Sequence, residues 1–138
     1  MKLSTHGLQI SSKAAVDLQL HTTLSDGEWE DESLIDYLME KGFALAAITD
    51  HDRVDTTSRL QTLARTKGFP LLVAVEMSAK WKGQLTDLLC FGFDPQNNAL
   101  ASLTEDLADR QRENSRQVFA HLLDQGYDLN AQDLEEVL

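Results

Sequence analysis

The chain has 138 residues, 42% of them hydrophobic and 25% charged, and its formal net charge is −11. This composition is typical of a folded domain and excludes collagen-like, low-complexity and strongly disordered chains. Because so acidic a surface repels phosphate backbones and anionic lipids, we expect no stable binding to nucleic acid or membrane, except where bound metal ions reverse the local field.

The cellular compartment is predicted from three features. Cys90 is the single cysteine and has no partner for an internal disulfide, which favours a reducing environment. The longest apolar runs, 43–48 and 71–75, are far shorter than the roughly 20 residues that a membrane span needs. The first twenty residues contain no apolar segment of the secretory type. We therefore expect a cytoplasmic protein in which Cys90 is a buried, inert thiol.

Strands and helices alternate in the predicted structure. Apolar alternation and continuous apolar runs predict four strands, and Lys82-Gly83 predicts a turn before the last one. Helical spacing predicts two helices, the first N-capped by Asp31. The strands are expected at 15–20, 43–49, 71–76 and 85–93, and the helices at 31–41, with an apolar stripe of Leu34, Ile35, Leu38 and Met39, and at 56–67. This order favours an α/β class with all four strands in one mostly parallel sheet.

A long helical segment follows at 98–125 and ends before Gly126. Residues 109–117 include no apolar side chain, so this stretch crosses solvent, faces a site, or separates two helices. The last residues, 130–138, begin like a capped helix and then stop, which suggests a truncated end. His6 and His121 have no supporting neighbours and are interpreted as surface residues.

Potential metal ligands cluster where the predicted strands end. His21 and Asp26 follow the first strand, Asp50, His51 and Asp52 follow the second, Glu76 closes the third, and Asp87 lies on the fourth. Because parallel strands bring their carboxyl ends to one face, these residues can converge. Individually, Asp26 could be a turn residue, and Asp50 or Asp52 could cap the next helix. Together, imidazoles and carboxylates without a cysteine ligand indicate a metal site.

Two motifs carry a family resemblance. VDLQLHTTLSDG at 16–27 and AITDHD at 47–52 resemble the first two motifs of the PHP family, the polymerase and histidinol phosphatase domains. The resemblance extends to Gly126. It implies a distorted (β/α)7 TIM-like barrel, with its N-terminal half at 14–95 and a helical arm or insertion at 98–138 that is apparently truncated.

The resemblance also implies a site and an activity. The implied metal ligands are His21, Asp26, His51 and Glu76, with Glu76 as a bridging carboxylate and Asp87 on the fourth strand. The complete family site holds two or three divalent ions, here Mn, Fe, Zn or Mg. The implied enzyme is a phosphoesterase that hydrolyses small phosphorylated substrates, either phosphate monoesters or nucleotides, through metal-activated water.

Several departures from the family pattern keep alternatives open. Gln19 and Asp87 stand where the family usually has histidine, and the later family motifs do not occur in this chain. The chain could therefore be a non-catalytic metal-binding or interaction remnant of the fold, or an amidohydrolase-type enzyme acting on C–N bonds. Arg110, Arg112 and Arg116 could contact phosphate, although a solvated helix face with ion pairs is the simpler interpretation.

Overall fold

The computed structural model describes residues 7–130, 132 and 134. The chain divides into two compact units, Met1–Ala101 and Ser102–Leu138. His6 and most of the predicted helix at 130–138 lie outside the described residues.

A parallel sheet forms the centre of the first unit. It contains β1 (Ala15–Leu20), β2 (Phe43–Ile48) and the short β3 (Leu71–Leu72) in the order β1-β2-β3. The crossovers contain α1 (Asp31–Glu40) and α2 (Thr57–Lys67), the latter preceded by a 3-10 turn at Val54–Thr56. The α/β class and the parallel pairing of these strands are confirmed, and the arrangement is consistent with part of a TIM-like barrel.

The main core lies between this sheet and its two helices. α1 contributes Leu34, Ile35 and Leu38, while α2 contributes Leu60 and Ala64. Met39 was expected in the same stripe but is 42% exposed, because its position on α1 is turned away from the sheet. Asp31 was predicted to cap α1, but the N-cap residue is Glu30, and Asp31 is the buried first residue of the helix.

The fourth strand departs most from the expected arrangement. β4 (Ala74–Trp81) and β5 (Gln84–Phe91) form an antiparallel hairpin in a second sheet, so the prediction of one mostly parallel sheet is wrong. Lys82 and Gly83 have φ values of 50° and 84°, as a two-residue hairpin turn requires. So short a connection can join only antiparallel strands. The hairpin also places Glu76 within β4, not at the end of a strand.

A smaller core supports the hairpin from the face opposite Glu76. Val75 and Met77 of β4 pack with Val54, and the half-buried Cys90 of β5 contacts this cluster. Cys90 is thus less buried than predicted.

The helix α3 (Leu100–Asp124) is continuous, so the alternative of two helices is wrong. Asn98 Oδ1 accepts hydrogen bonds from the backbone N–H groups of Leu100 and Ala101 at 3.0 and 3.1 Å. Within the helix, Arg110 pairs with Asp106 at 3.4 Å and Arg112 with Asp109 at 2.9 Å, as expected for a solvated face. Arg116 and His121 are also exposed. Across the described residues, no helix is long and apolar enough to span a bilayer.

Candidate metal site

The carboxyl ends of β1 and β2 bring two histidines together. His21 directly follows β1, and His51 comes three residues after the end of β2. Their rings lie 4.9 Å apart, centroid to centroid, and are stacked with an interplanar angle of 28°. His51 also forms a parallel bridge with Glu76 of β4, which carries the hairpin to the same place.

Carboxylates surround both imidazole rings. His21 Nε2 lies 3.1 Å from Glu76 Oε2, and His51 Nε2 lies 3.7 Å from Asp26 Oδ2. His21 Nδ1 lies 3.1 Å from Asp26 Oδ1, yet this buried nitrogen has no partner in hydrogen-bonding geometry among the described residues. A buried, unsatisfied nitrogen facing a carboxylate is the arrangement that a shared cation would complete.

Two triads of candidate ligands share His51. The first contains His21, Asp26 and His51, and the second contains His51, Glu76 and Asp87; in each, the ligand atoms lie within 4.8 Å of one another. The five ligands that the family resemblance implies are therefore brought together. Glu76 is buried, whereas Asp26 and Asp87 are exposed. Nitrogen and carboxylate ligands without a thiolate fit divalent ions of the Mn, Fe, Zn or Mg kind.

Gln19 occupies a position beside Glu76. Its Nε2 amide donates hydrogen bonds to Glu76 Oε1 and Oε2 at 3.3 and 3.1 Å. Only 6% of Glu76 is exposed, so these donors help to satisfy a nearly buried carboxylate. The sequence showed Gln19 as a departure from the family's usual histidine but gave no sign of this contact.

The two aspartates that flank His51 do not cap a helix, which corrects that alternative. Asp50 accepts hydrogen bonds from residues 22–25. Asp52 Oδ1 accepts one from the Ser78 backbone at 2.8 Å, and the Asp52 N–H donates to Glu76 O at 2.8 Å. Asp52 adopts a left-handed conformation, with φ of 55°, to make both contacts. A buried aspartate directly after an apolar strand was the available signal, since such a group needs donors.

Arg53 is the nearest cation in the sequence to His51, and its charge is already paired. It forms a two-pronged contact with Asp55, Nε to Oδ1 at 2.9 Å and Nη2 to Oδ2 at 3.0 Å. The hydrogen bond between them raises the pKa of Arg53 and lowers the pKa of Asp55. Arg53 thus serves as a structural cation beside the candidate site.

The curated proteins that resemble the chain in sequence include two that act on phosphate esters. It is 32% identical over 109 residues to a 3′,5′-nucleoside bisphosphate phosphatase of Chromobacterium violaceum, covering 79% of this chain and 38% of the relative. It is 26% identical over 118 residues to a phosphoribosyl 1,2-cyclic phosphate 1,2-diphosphodiesterase of Eggerthella lenta, covering 84% and 45%. The chain thus spans less than half the length of either relative. No protein-family model matches it.

Two solved structures share the fold. One is an amidohydrolase from Chromobacterium violaceum with bound sulfate and no metal, with a TM-score of 0.71, 31% identity, and coverage of 84% of this chain and 41% of that one. The other, from Bifidobacterium adolescentis, is provisionally described as a metal-dependent phosphoesterase, with a TM-score of 0.71, 27% identity, and coverage of 88% and 42%. Together these relatives confirm the resemblance drawn from the two motifs. The chain is therefore PHP-like, related over most of its length to phosphatases, phosphodiesterases and a metal-dependent phosphoesterase.

Proposed function

We propose that the protein to which this chain belongs is a metal-dependent phosphoesterase whose ligands are His21, Asp26, His51, Glu76 and Asp87. The observation that carries the proposal is the buried Nδ1 of His21, 3.1 Å from an Asp26 oxygen but without a hydrogen bond. Bound divalent ions would activate water and polarise the phosphoryl oxygens. We also propose that the fold is the N-terminal part of a (β/α)7 barrel, with barrel residues at 14–95 and a helical arm at 98–138.

The residues of this site differ in burial and in their contacts, and we propose a different role for each. Asp26, on an exposed loop, supplies a carboxylate that can approach an ion without a large desolvation cost. Glu76 is nearly buried and held by Gln19 and His21, so it is fixed before an ion arrives. His21 and His51 are oriented by these carboxylates. The neutral amide of Gln19 donates hydrogen bonds to both carboxylate oxygens of Glu76. We therefore propose that an ion bound through Glu76 is held less tightly than one bound by the first triad, His21, Asp26 and His51.

The substrate class follows from the relatives' chemistry. Both curated relatives are named for acting on phosphate esters of nucleosides or sugars. We propose a small phosphorylated substrate, a monoester or nucleotide, which metal ions would draw to an otherwise acidic protein with a net charge of −11. A cytoplasmic location remains a prediction from the sequence.

Metal binding is the first test of this proposal. The chain is titrated with Mn²⁺ at equilibrium, and free Mn²⁺ is followed by electron paramagnetic resonance. We expect at least one ion per chain, with His51→Ala weakening binding by about 10-fold or more. His121→Ala, an exposed histidine of α3, is the matched control and should bind as the parent does. Equal affinity in His51→Ala and the parent would reject the ligand set.

Hydrolysis is the second test. Phosphate monoesters, phosphodiesters, nucleotides and N-acyl amino acids are compared as substrates of this chain and of a chain extended to the length of its relatives. Mn²⁺-dependent release of phosphate that is lost in His51→Ala supports the proposal. Cleavage of the amides alone would favour the C–N hydrolase alternative. Tight Mn²⁺ binding without hydrolysis of any substrate would favour the non-catalytic remnant.

A further inference from the structure

Asp50 lies immediately before His51 and has no place among the proposed ligands. It is 2% exposed, and both of its carboxylate oxygens face residues 22–25. Oδ1 accepts hydrogen bonds from the Thr22 backbone N–H at 2.6 Å and from Ser25 Oγ at 2.9 Å. Oδ2 accepts one from Thr22 Oγ1 at 2.8 Å. One buried carboxylate therefore binds three donors of the loop that connects His21 to Asp26.

Arg53, three residues after Asp50, makes a second contact with that loop. Arg53 Nη1 donates to the carbonyl oxygen of Leu24 at 2.8 Å, while Asp55 holds the rest of the guanidinium. The segment 50–53, which carries His51, thus makes contacts with residues 22, 24 and 25. The positions of His51 and of the loop are coupled through these bonds.

The loop also has support besides these contacts, since the Thr23 N–H donates to Trp29 O at 3.0 Å and the half-buried Leu24 packs against the main core. Its turn is closed by backbone hydrogen bonds from Ser25 and Gly27 to Thr22 O, at 3.1 and 2.9 Å. Asp26 itself is exposed, and its Oδ1 accepts a hydrogen bond at 3.3 Å from Ser25 Oγ, the same hydroxyl that contacts Asp50. Without Asp50, Thr22 would keep its place at the end of β1, but its buried N–H and hydroxyl would lose their acceptor, which favours rearrangement of the loop.

We infer that Asp50 is a positioning residue that holds residues 22–26 so that His21 and Asp26 face His51 before a metal ion binds. This inference rests on the proposed metal site. Because ordering the loop is then part of folding, ion binding need not offset the loss of loop entropy. Such supporting residues typically change metal affinity by about 10–100-fold when they are removed.

The experiment compares Asp50→Ala with the conservative Asp50→Asn. Asparagine keeps an oxygen acceptor for the Thr22 N–H and the Ser25 hydroxyl, and its amide can donate to Thr22 Oγ1. We expect Asp50→Ala to weaken Mn²⁺ binding by about 10–100-fold and Asp50→Asn to recover most of that loss. The absorption spectrum of the Co²⁺-loaded protein should change in Asp50→Ala and stay close to the parent spectrum in Asp50→Asn.

A readout without metal separates positioning from general loss of stability. Thr57→Val is the matched control, since Thr57 is buried and its hydroxyl donates to Val54 O at 2.7 Å, away from the loop. In the metal-free protein, we expect the Thr22 and Gly27 amides to exchange faster in Asp50→Ala than in Thr57→Val. Thr22→Val removes the hydroxyl that donates to Asp50 and accepts from the Leu24 N–H, but it keeps the backbone bond from Thr22 to Asp50. It replaces Asp50→Ala if that variant does not fold, and it should weaken Mn²⁺ binding less.

The outcomes distinguish this inference from the proposed function. If the parent chain binds no Mn²⁺, the proposed metal site fails and the inference fails with it. If the parent binds Mn²⁺ and Asp50→Ala binds it equally well, only the inference is overturned. If Asp50→Asn is as impaired as Asp50→Ala, the charge of Asp50 and not its hold on the loop matters, which also overturns it.

Discussion

Gly27 shows how closely the loop after β1 returns to the end of that strand. A Cβ atom at this position would lie 2.3 Å from the carbonyl carbon and oxygen of His21 and 2.6 Å from Thr22 N. All three are backbone atoms that cannot move aside cheaply. We expect Gly27→Ala to lower the free energy of unfolding by about 1–3 kcal/mol and to weaken Mn²⁺ binding, measured by urea denaturation and by titration.

Gly42→Ala is the matched control for that substitution. Gly42 has a positive φ of 73° but no atom within 4 Å of the added Cβ. It should lose only about 1 kcal/mol from backbone strain and bind Mn²⁺ as the parent does. Unchanged Mn²⁺ affinity in Gly27→Ala would show that the close approach of the loop does not shape the site.

Gln19 permits a prediction about charge at the same scale. Its amide lies 3.1 Å from Glu76 Oε2, so Gln19→Glu would place two carboxylates against each other. Without a cation these groups repel, and with one they attract it. We expect the metal-free variant to have a lower melting temperature than the parent and to gain more stability from added Mn²⁺. Thermal denaturation with and without Mn²⁺ measures both effects, and an equal gain in parent and variant would contradict this prediction.

Helix α1 is joined to helix α2 by an ion-pair cluster around Lys67. Lys67 Nζ lies 2.6 Å from Asp36 Oδ1 and 3.0 Å from Glu32 Oε1. The hydrogen bond that Lys67 donates to Asp36, and then the one that it donates to Glu32, raises the pKa of Lys67 above its usual 10.5. Because the folded-state pKa is the higher one, this contribution to stability is fully present below pH 10.5 and is lost as the pH rises through the folded-state pKa.

We therefore expect Lys67→Met to lower the urea concentration at the unfolding midpoint slightly at pH 8. The difference in midpoint between the variant and the parent should shrink as the pH rises through the folded-state pKa of Lys67. Lys41→Met is the control, since the ion pair of Lys41 with Glu40 at 2.9 Å and its approach to the Tyr37 ring at 5.3 Å both involve residues of α1. It should leave the midpoint unchanged at both pH values. A difference for Lys67→Met that persists at high pH would assign the effect to packing of the lysine stem.

At the scale of helices and strands, the sequence predicted the structure best where a pattern is compatible with a single local conformation. The second helix was expected to end at residue 67, and it does so because Gly68 follows with a left-handed φ of 75°. The pairing of β5 was mispredicted because an apolar run does not reveal the direction of its partner, although the Lys82-Gly83 turn did contain that information. Glu76 reaches the site from within β4, but the convergence of His21 and His51 could be anticipated from strand ends. The hydrogen bonds of Gln19 and Asp50 could not, since they join residues 57 and 28 positions apart.

The whole molecule carries a net charge of −11, which acts on stability and on cation binding in opposite ways. Self-repulsion destabilises the folded state, while the same field concentrates cations near the acidic surface. Added salt screens both effects, as the Debye length falls from about 30 Å at about 0.01 M to about 10 Å at about 0.1 M. Between these concentrations of KCl, we expect the melting temperature of the metal-free chain to rise and its Mn²⁺ affinity to fall.

His51→Ala is the control for this salt dependence, because the formal charge of −11 does not include histidine and is therefore unchanged. Its melting temperature should rise with KCl as the parent's does, while its Mn²⁺ binding should be weak at both concentrations. If the parent's melting temperature instead falls with KCl, local ion pairs such as those of Lys67 and Arg53 outweigh the net repulsion. If Mn²⁺ affinity does not change with KCl, short-range coordination dominates over the field of the whole protein, and the acidic surface plays no part in attracting the ion.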